Sequence, residues 1–147
     1  MPVPSVIHER ELQRVAADSY ISRTFAVALI DAPGTEFDAT DDFNTIMGFE
    51  VEQDLGGYQR QQIGFVTADL GAYGDGKLPL ARKAATFTHN GSVNETIRFS
   101  HVALLNPSDT AITCISKLAA RAALSDGQSA VFYFDFTLYG VYVVPVS

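Results

Sequence analysis

The chain has 147 residues, 47% of them hydrophobic, and a net charge of −7; at 15.9 kDa this suits one folded domain with a true apolar core. A pI near 4.7 leaves no basic excess to track phosphates, which argues against a nucleic-acid partner. A lone cysteine excludes an internal disulfide framework, and no apolar run reaches the length of a membrane span.

The start, Met1-Pro2-Val3-Pro4-Ser5, has neither a basic nor an apolar leader pattern, so synthesis in a cytoplasm is expected. From about residue 5 to 20, Leu12, Val15, Ala16, Ser19 and Tyr20 recur at three- and four-residue spacing, with Glu9, Arg10, Glu11, Arg14 and Asp18 largely on other faces. That pattern predicts one amphipathic helix. It is distinct in period from all that follows, and it is expected to serve as a docking arm over 1–22 that presents Leu12, Val15 and Tyr20 to the body or to a neighbour.

From Thr24 onward the period is mostly two. Residues 25–30 read as a strand apolar on both faces, ended by the turn Asp31-Ala32-Pro33-Gly34. Residues 35–47 carry four acidic side chains (Glu36, Asp38, Asp41, Asp42) between Phe37, Phe43 and Ile46, and read as a long surface loop with a helical turn after Thr40. Strands are expected at 49–53, 58–66, 84–89, 95–99 and 101–105, with Asn90-Gly91 as the best hairpin turn. Residues 69–79 hold three glycines and read as a second long loop. Cys114 sits in an apolar run and is expected to be a buried structural thiol. Residues 116–123 combine strong helix formers with a β context; strand is favoured because the turn at 125–128 leads directly into the last strand. That strand, 132–139, alternates Phe132, Phe134, Phe136 and Leu138 with Tyr133, Asp135, Thr137 and Tyr139.

No catalytic constellation stands out. His8, His89 and His101 are at no metal-ligand spacing, and the acidic loop does not match a calcium-binding pattern. No serine lies in a nucleophile elbow, and the glycine-rich run from Gly71 to Gly76 lacks the ending of a phosphate loop. The expectation is a protein that is no enzyme and needs neither metal nor cofactor. In the block Gly56-Gly57-Tyr58-Gln59-Arg60-Gln61, Tyr58 and Arg60 fall two residues apart on one face. There an aromatic and a guanidinium can stack or meet a neighbour's carboxylate, or can simply stabilise the hairpin. Tyr73 beside Asp75 is the one visible candidate for carbohydrate contact.

With these features in order, the chain resembles a family of small bacteriophage virion proteins labelled tail fibre proteins. The resemblance spans nearly the whole chain and is most distinctive in the Gly-Gly-Tyr-x-Arg-Gln block. It continues through Ala85-Thr86-Phe87, Ile97-Arg98-Phe99 and His101-Val102-Ala103-Leu104-Leu105-Asn106. It implies a mainly β fold, a β-sandwich or jelly-roll-like domain over 23–147 within a single 1–147 domain. It also implies a structural role in the tail, tail fibre or baseplate, partners among other virion proteins, and a homotrimer. The alternatives are a capsid decoration protein and a module that binds host-surface glycan.

Overall fold

Six consecutive residues of alternating pleat can all be apolar only if both faces of their sheet are covered. In the computed structural model, which describes residues 3–4, 9–75, 77–139 and 142–143, that condition is met by the central strands. The strands and helices in chain order are β1 (Val3–Pro4), α1 (Glu9–Ser19), β2 (Thr24–Ile30), α2 (Phe43–Met47), β3 (Gln61–Gly64), β4 (Lys77–Pro79), β5 (Lys83–Thr88), β6 (Ile97–Leu105), β7 (Ile112–Leu124), β8 (Ser129–Phe134), β9 (Thr137–Tyr139) and β10 (Tyr142–Val143). The fold is mainly β and sandwich-like, with several antiparallel sheets and an N-terminal helix.

The chain divides into two compact units, each assembled from separate segments. One comprises residues 25–63 and 84–132, the other residues 1–24, 64–83 and 133–147.

In the first unit the sheet order is β3-β2-β6-β7, with β6 antiparallel to both β2 and β7. One face packs Ala26, Ile30, Ala103 and Leu105 under Ile46 of α2, with Phe37, Phe43, Ile112 and Ile115 around them. Toward the β5–β8 pair, Phe99 of β6 meets Phe132 of β8 edge-to-face at 5.9 Å, and Phe87 of β5 meets Phe132 at 6.2 Å. The acidic loop is thus a lid whose apolar residues cover the sheet while its carboxylates stay in water.

The second unit closes on α1. Leu12 and Ala16 are buried with Leu78 of β4, flanked by Leu70, Tyr73 and Leu138. Tyr20, Phe65 and Phe136 form a mutually edge-on aromatic triad with ring centres 5.0 to 6.2 Å apart. β4 pairs with β9 and β1 with β10, both antiparallel.

Several sequence expectations change. The helix begins at Glu9, the part expected at 5–8 lying outside the described residues. The two strands expected at 95–99 and 101–105 merge into the continuous strand β6, which begins only at Ile97. Asn90-Gly91 is no hairpin turn, because its donors are taken elsewhere: Asn90 N–H bonds Gly56 O at 2.8 Å and Gly91 N–H bonds His89 Nδ1 at 3.0 Å. Residues 49–53 contribute only the bridge between Glu50 and Ile30, and Tyr58 precedes β3. The last strand breaks at Asp135-Phe136 into β8 and β9. Residues 116–123 are strand, as favoured, with pairing to β6 at 116–117 and 122–123 overriding their helix propensity. Cys114 is exposed rather than buried, standing on the sheet-edge strand β7, with enough cover to push its thiol pKa up.

Candidate functional site

The Gly-Gly-Tyr-x-Arg block builds a buckle. Asp54, Gly56 and Gly57 all have positive φ, so the chain folds into a tight 3-10 turn over residues 55–57 that glycine permits. The turn delivers Tyr58 into the core, 2% exposed, stacked on Phe87 at 6.0 Å. Its hydroxyl donates to Glu50 Oε2 at 2.7 Å and accepts the backbone N–H of Leu29 at 3.1 Å. Arg60 grips the same carboxylate with two parallel bonds, Nε to Oε2 at 2.9 Å and Nη2 to Oε1 at 2.8 Å. Burial pushes the Tyr58 phenol far above its ordinary value, with the Glu50 carboxylate adding to the rise. The two parallel Arg60 bonds and the phenol together fix the Glu50 carboxylate in place. The cluster ties β2, the segment before β3, and the 49–53 segment together.

Edge strand β7 offers the contrasting surface. Its 13 residues span about 40 Å at 3.3 Å per residue, and no other strand among the described residues pairs with its outer edge. Thr113, Cys114, Ser116, Lys117, Ala119, Ala120, Arg121 and Ala123 are exposed, so neither face of this strand is fully covered. The register jumps from Phe99↔Ala122 to His101↔Lys117, which leaves 118–121 as a bulge opposite Ser100. Its two cations are paired across the sheet, Arg121 Nε with Asp31 at 2.9 Å and Lys117 Nζ with Glu36 at 3.3 Å.

Beside the first half of β7 runs a groove of about 650 Å³, lined by 111–115 and by Phe37, Asp38, Ala39, Asp41, Phe43 and Ile46. Its floor is apolar and its lining charges are both carboxylates. Hydrogen bonds from the Thr40 hydroxyl and backbone hold the Asp38 carboxyl below its usual range, so it is ionised near neutrality. A smaller cleft of about 220 Å³, sharing Phe37 and Ile115, reaches Glu36, Lys117 and His101. His101 is 2% exposed, with Nδ1 at 2.7 Å from Ser100 Oγ and Nε2 without a hydrogen-bond partner. Burial lowers its pKa, and Lys117 adds to that, while the Thr35 backbone opposes it.

The six side chains singled out in the sequence do not converge. Leu12 is 2% exposed in its own unit, as Tyr58 is in the other, which leaves both no surface to offer a partner. Val15 and Tyr20 are half-buried, and Tyr20 is engaged with Phe65 and Phe136. Tyr73 is half-buried against the Leu12 cluster. Arg60 keeps a third of its side chain in solvent but is held by Glu50. Sequence reading placed a strand at 116–123 but missed that it runs over Ile112–Leu124 as an exposed sheet edge. The signal was present in the small and polar residues that give 112–124 no clean two-residue period, the mark of a strand not embedded on either face. Among the described residues no cluster of His, Cys, Asp or Glu could hold a metal ion, and no helix is long and apolar enough to cross a membrane. No family model matches the chain, and no curated protein or solved structure is significantly similar to it.

Proposed function

We propose that this protein is a structural component of a bacteriophage virion, in the tail, tail fibre or baseplate, and acts through protein–protein contacts rather than catalysis. The observation that carries the contact-based part is β7, a 13-residue edge strand with exposed side chains on both faces. Such an edge invites pairing with another chain unless it is blocked, and soluble monomers keep edges short, charged or covered. The particle, its other virion proteins as partners, and a homotrimeric state rest on the resemblance in the order of sequence features. Capsid decoration would use the same physics on a different scaffold. Glycan binding has less support, since Tyr73 lies half under the helix instead of standing clear in its loop.

Mass spectrometry of purified particles from the virus that encodes the chain tests the location: the protein is expected in stoichiometric amounts, and its absence overturns the virion reading. Sedimentation at micromolar concentration tests the assembly. A trimer is expected, and a monomer at every concentration overturns it.

A further inference from the structure

We infer that the groove beside the first half of β7 is a docking site for an extended, cationic segment of another protein, which adds a strand to the open edge of Ile112–Leu124. This rests on the reading that the protein works by contact, and it names the chemistry of that contact. Three independent features meet here. The backbone edge at 112–115 has no strand partner among the described residues, so its outward N–H and C=O groups are available to an incoming strand. Directly alongside, Phe37, Phe43, Ile46, Ile112 and Ile115 line one hollow, where an extended segment can set one side chain in every two. The only charged residues of that lining, Asp38 and Asp41, are both acidic.

Charge decides between occupants. A second copy docking edge to edge at this half of β7 would bring two Asp38–Asp41 rims together on chains that each carry −7, an arrangement that like charges oppose. The strand's own cations cannot offset this, because Lys117 and Arg121 are already paired with Glu36 and Asp31. The register with β6 slips at 118–121 and again at Thr113, so the regular stretch of β7 beside the groove is 114–117, and it is the groove that places the incoming segment there. A segment with lysine or arginine alternating with apolar residues satisfies edge, hollow and rim together.

The probe is an acetylated, amidated nonapeptide alternating valine and lysine, labelled for fluorescence anisotropy and titrated with the full chain. Three comparisons accompany it: the same peptide N-methylated at alternate residues, which keeps its charge but removes its strand donors; the Asp38→Asn/Asp41→Asn variant, which keeps the acceptor oxygens of the loop; and the rate at which Cys114 reacts with a thiol reagent. Expected results are at least a tenfold weaker Kd for the methylated peptide, a fivefold or greater weakening for the variant, and several-fold protection of Cys114 by the parent peptide. Equal binding of parent and methylated peptides, or an unchanged Cys114 rate at saturation, overturns the proposal, since the attraction is then charge alone or lies elsewhere. Protection of Cys114 that rises with protein concentration without peptide also overturns it, in favour of a second copy. None of these failures bears on whether the protein is found in particles.

Discussion

Gly56 lies against the imidazole of His89 so closely that a Cβ on it would stand 2.7 Å from both Cδ2 and Nε2 of the ring. The ring cannot move aside. It is 1% exposed and held at both nitrogens, with Nδ1 accepting Gly91 N–H at 3.0 Å, so that Nε2 carries the proton and donates to Glu95 O at 2.8 Å. Gly56→Ala therefore adds overpacking of roughly 1–3 kcal/mol to a left-handed backbone penalty of roughly 1–2 kcal/mol. Gly34 also has positive φ, +79°, but nothing lies within 4 Å of its added Cβ, so Gly34→Ala should show only the backbone penalty. Denaturant melts that gave equal losses would contradict this packing.

Removing the Tyr58 hydroxyl leaves the Leu29 N–H without its acceptor and strips one donor from Glu50. Tyr58→Phe should cost about 1–3 kcal/mol. The phenol also makes stability alkali-sensitive. Its folded pKa is raised above the ordinary 10.0, chiefly by burial, so the folded state holds the proton longer than the unfolded one. The contribution is complete below pH 10, and above it is lost at up to about 1.4 kcal/mol per pH unit. Stability measured from pH 9 to 11.5 should fall less steeply in Tyr58→Phe than in the parent; parallel slopes would show that Tyr58 ionises freely in the folded state.

The strands that form the core were legible in the sequence because their burial is written in period and composition. Residues 25–30 are apolar at every position and become β2, buried on both faces, while the alternation from Phe132 to Phe136 survives as half-buried against exposed even across the break at Asp135. Boundaries and pairings were less legible where long-range bonds decide them. Asn90-Gly91 has the composition of a hairpin turn, yet Gly56 O and His89 Nδ1 capture its donors from outside any hairpin. The Gly-Gly-Tyr-x-Arg block was recognisable as special. Its acceptor, Glu50, was not, because nothing in the local pattern tells that a carboxylate eight residues before Tyr58 turns inward. The surface most suited to a partner was legible only in part: 116–123 read as strand from its β context, but its place at the sheet edge is set by long-range pairing.

Phe65 is 1% exposed at the centre of the triad with Tyr20 and Phe136. Phe65→Ala should cost about 3–5 kcal/mol through lost transfer energy and the cavity left behind. Tyr73, which its loop position alone would make dispensable, packs on the Leu12 cluster, so Tyr73→Ala should cost about 1–3 kcal/mol instead of a few tenths. Thermal or chemical melts of the two variants check both values, and a Tyr73 effect indistinguishable from zero would place that ring in solvent.

Acid should loosen the lid over β6. The His101 pKa is lowered from 6.5, first by burial and then by Lys117, so below pH 6.5 the unfolded chain takes up a proton that the folded chain resists. Stability from this group is full above pH 6.5 and declines as pH falls toward the folded pKa. Between pH 7 and 5 the parent should lose more melting temperature than His101→Gln, whatever their separate starting values. Identical pH slopes would mean that the folded state protonates His101 without penalty.

The account turns on whether β7 is covered where the protein works, and Cys114 reports on that directly. It is the only cysteine of the chain, exposed, on the edge strand and in the groove. The measurement is the rate of Cys114 modification by a small thiol reagent in the purified protein and in intact particles, read by mass spectrometry of the peptide that contains it. Contact through β7 predicts modification at least tenfold slower in the particle than in the free protein at the same pH. Equal rates in both would show β7 bare in the assembly and contradict the claim that this edge is where the protein does its work.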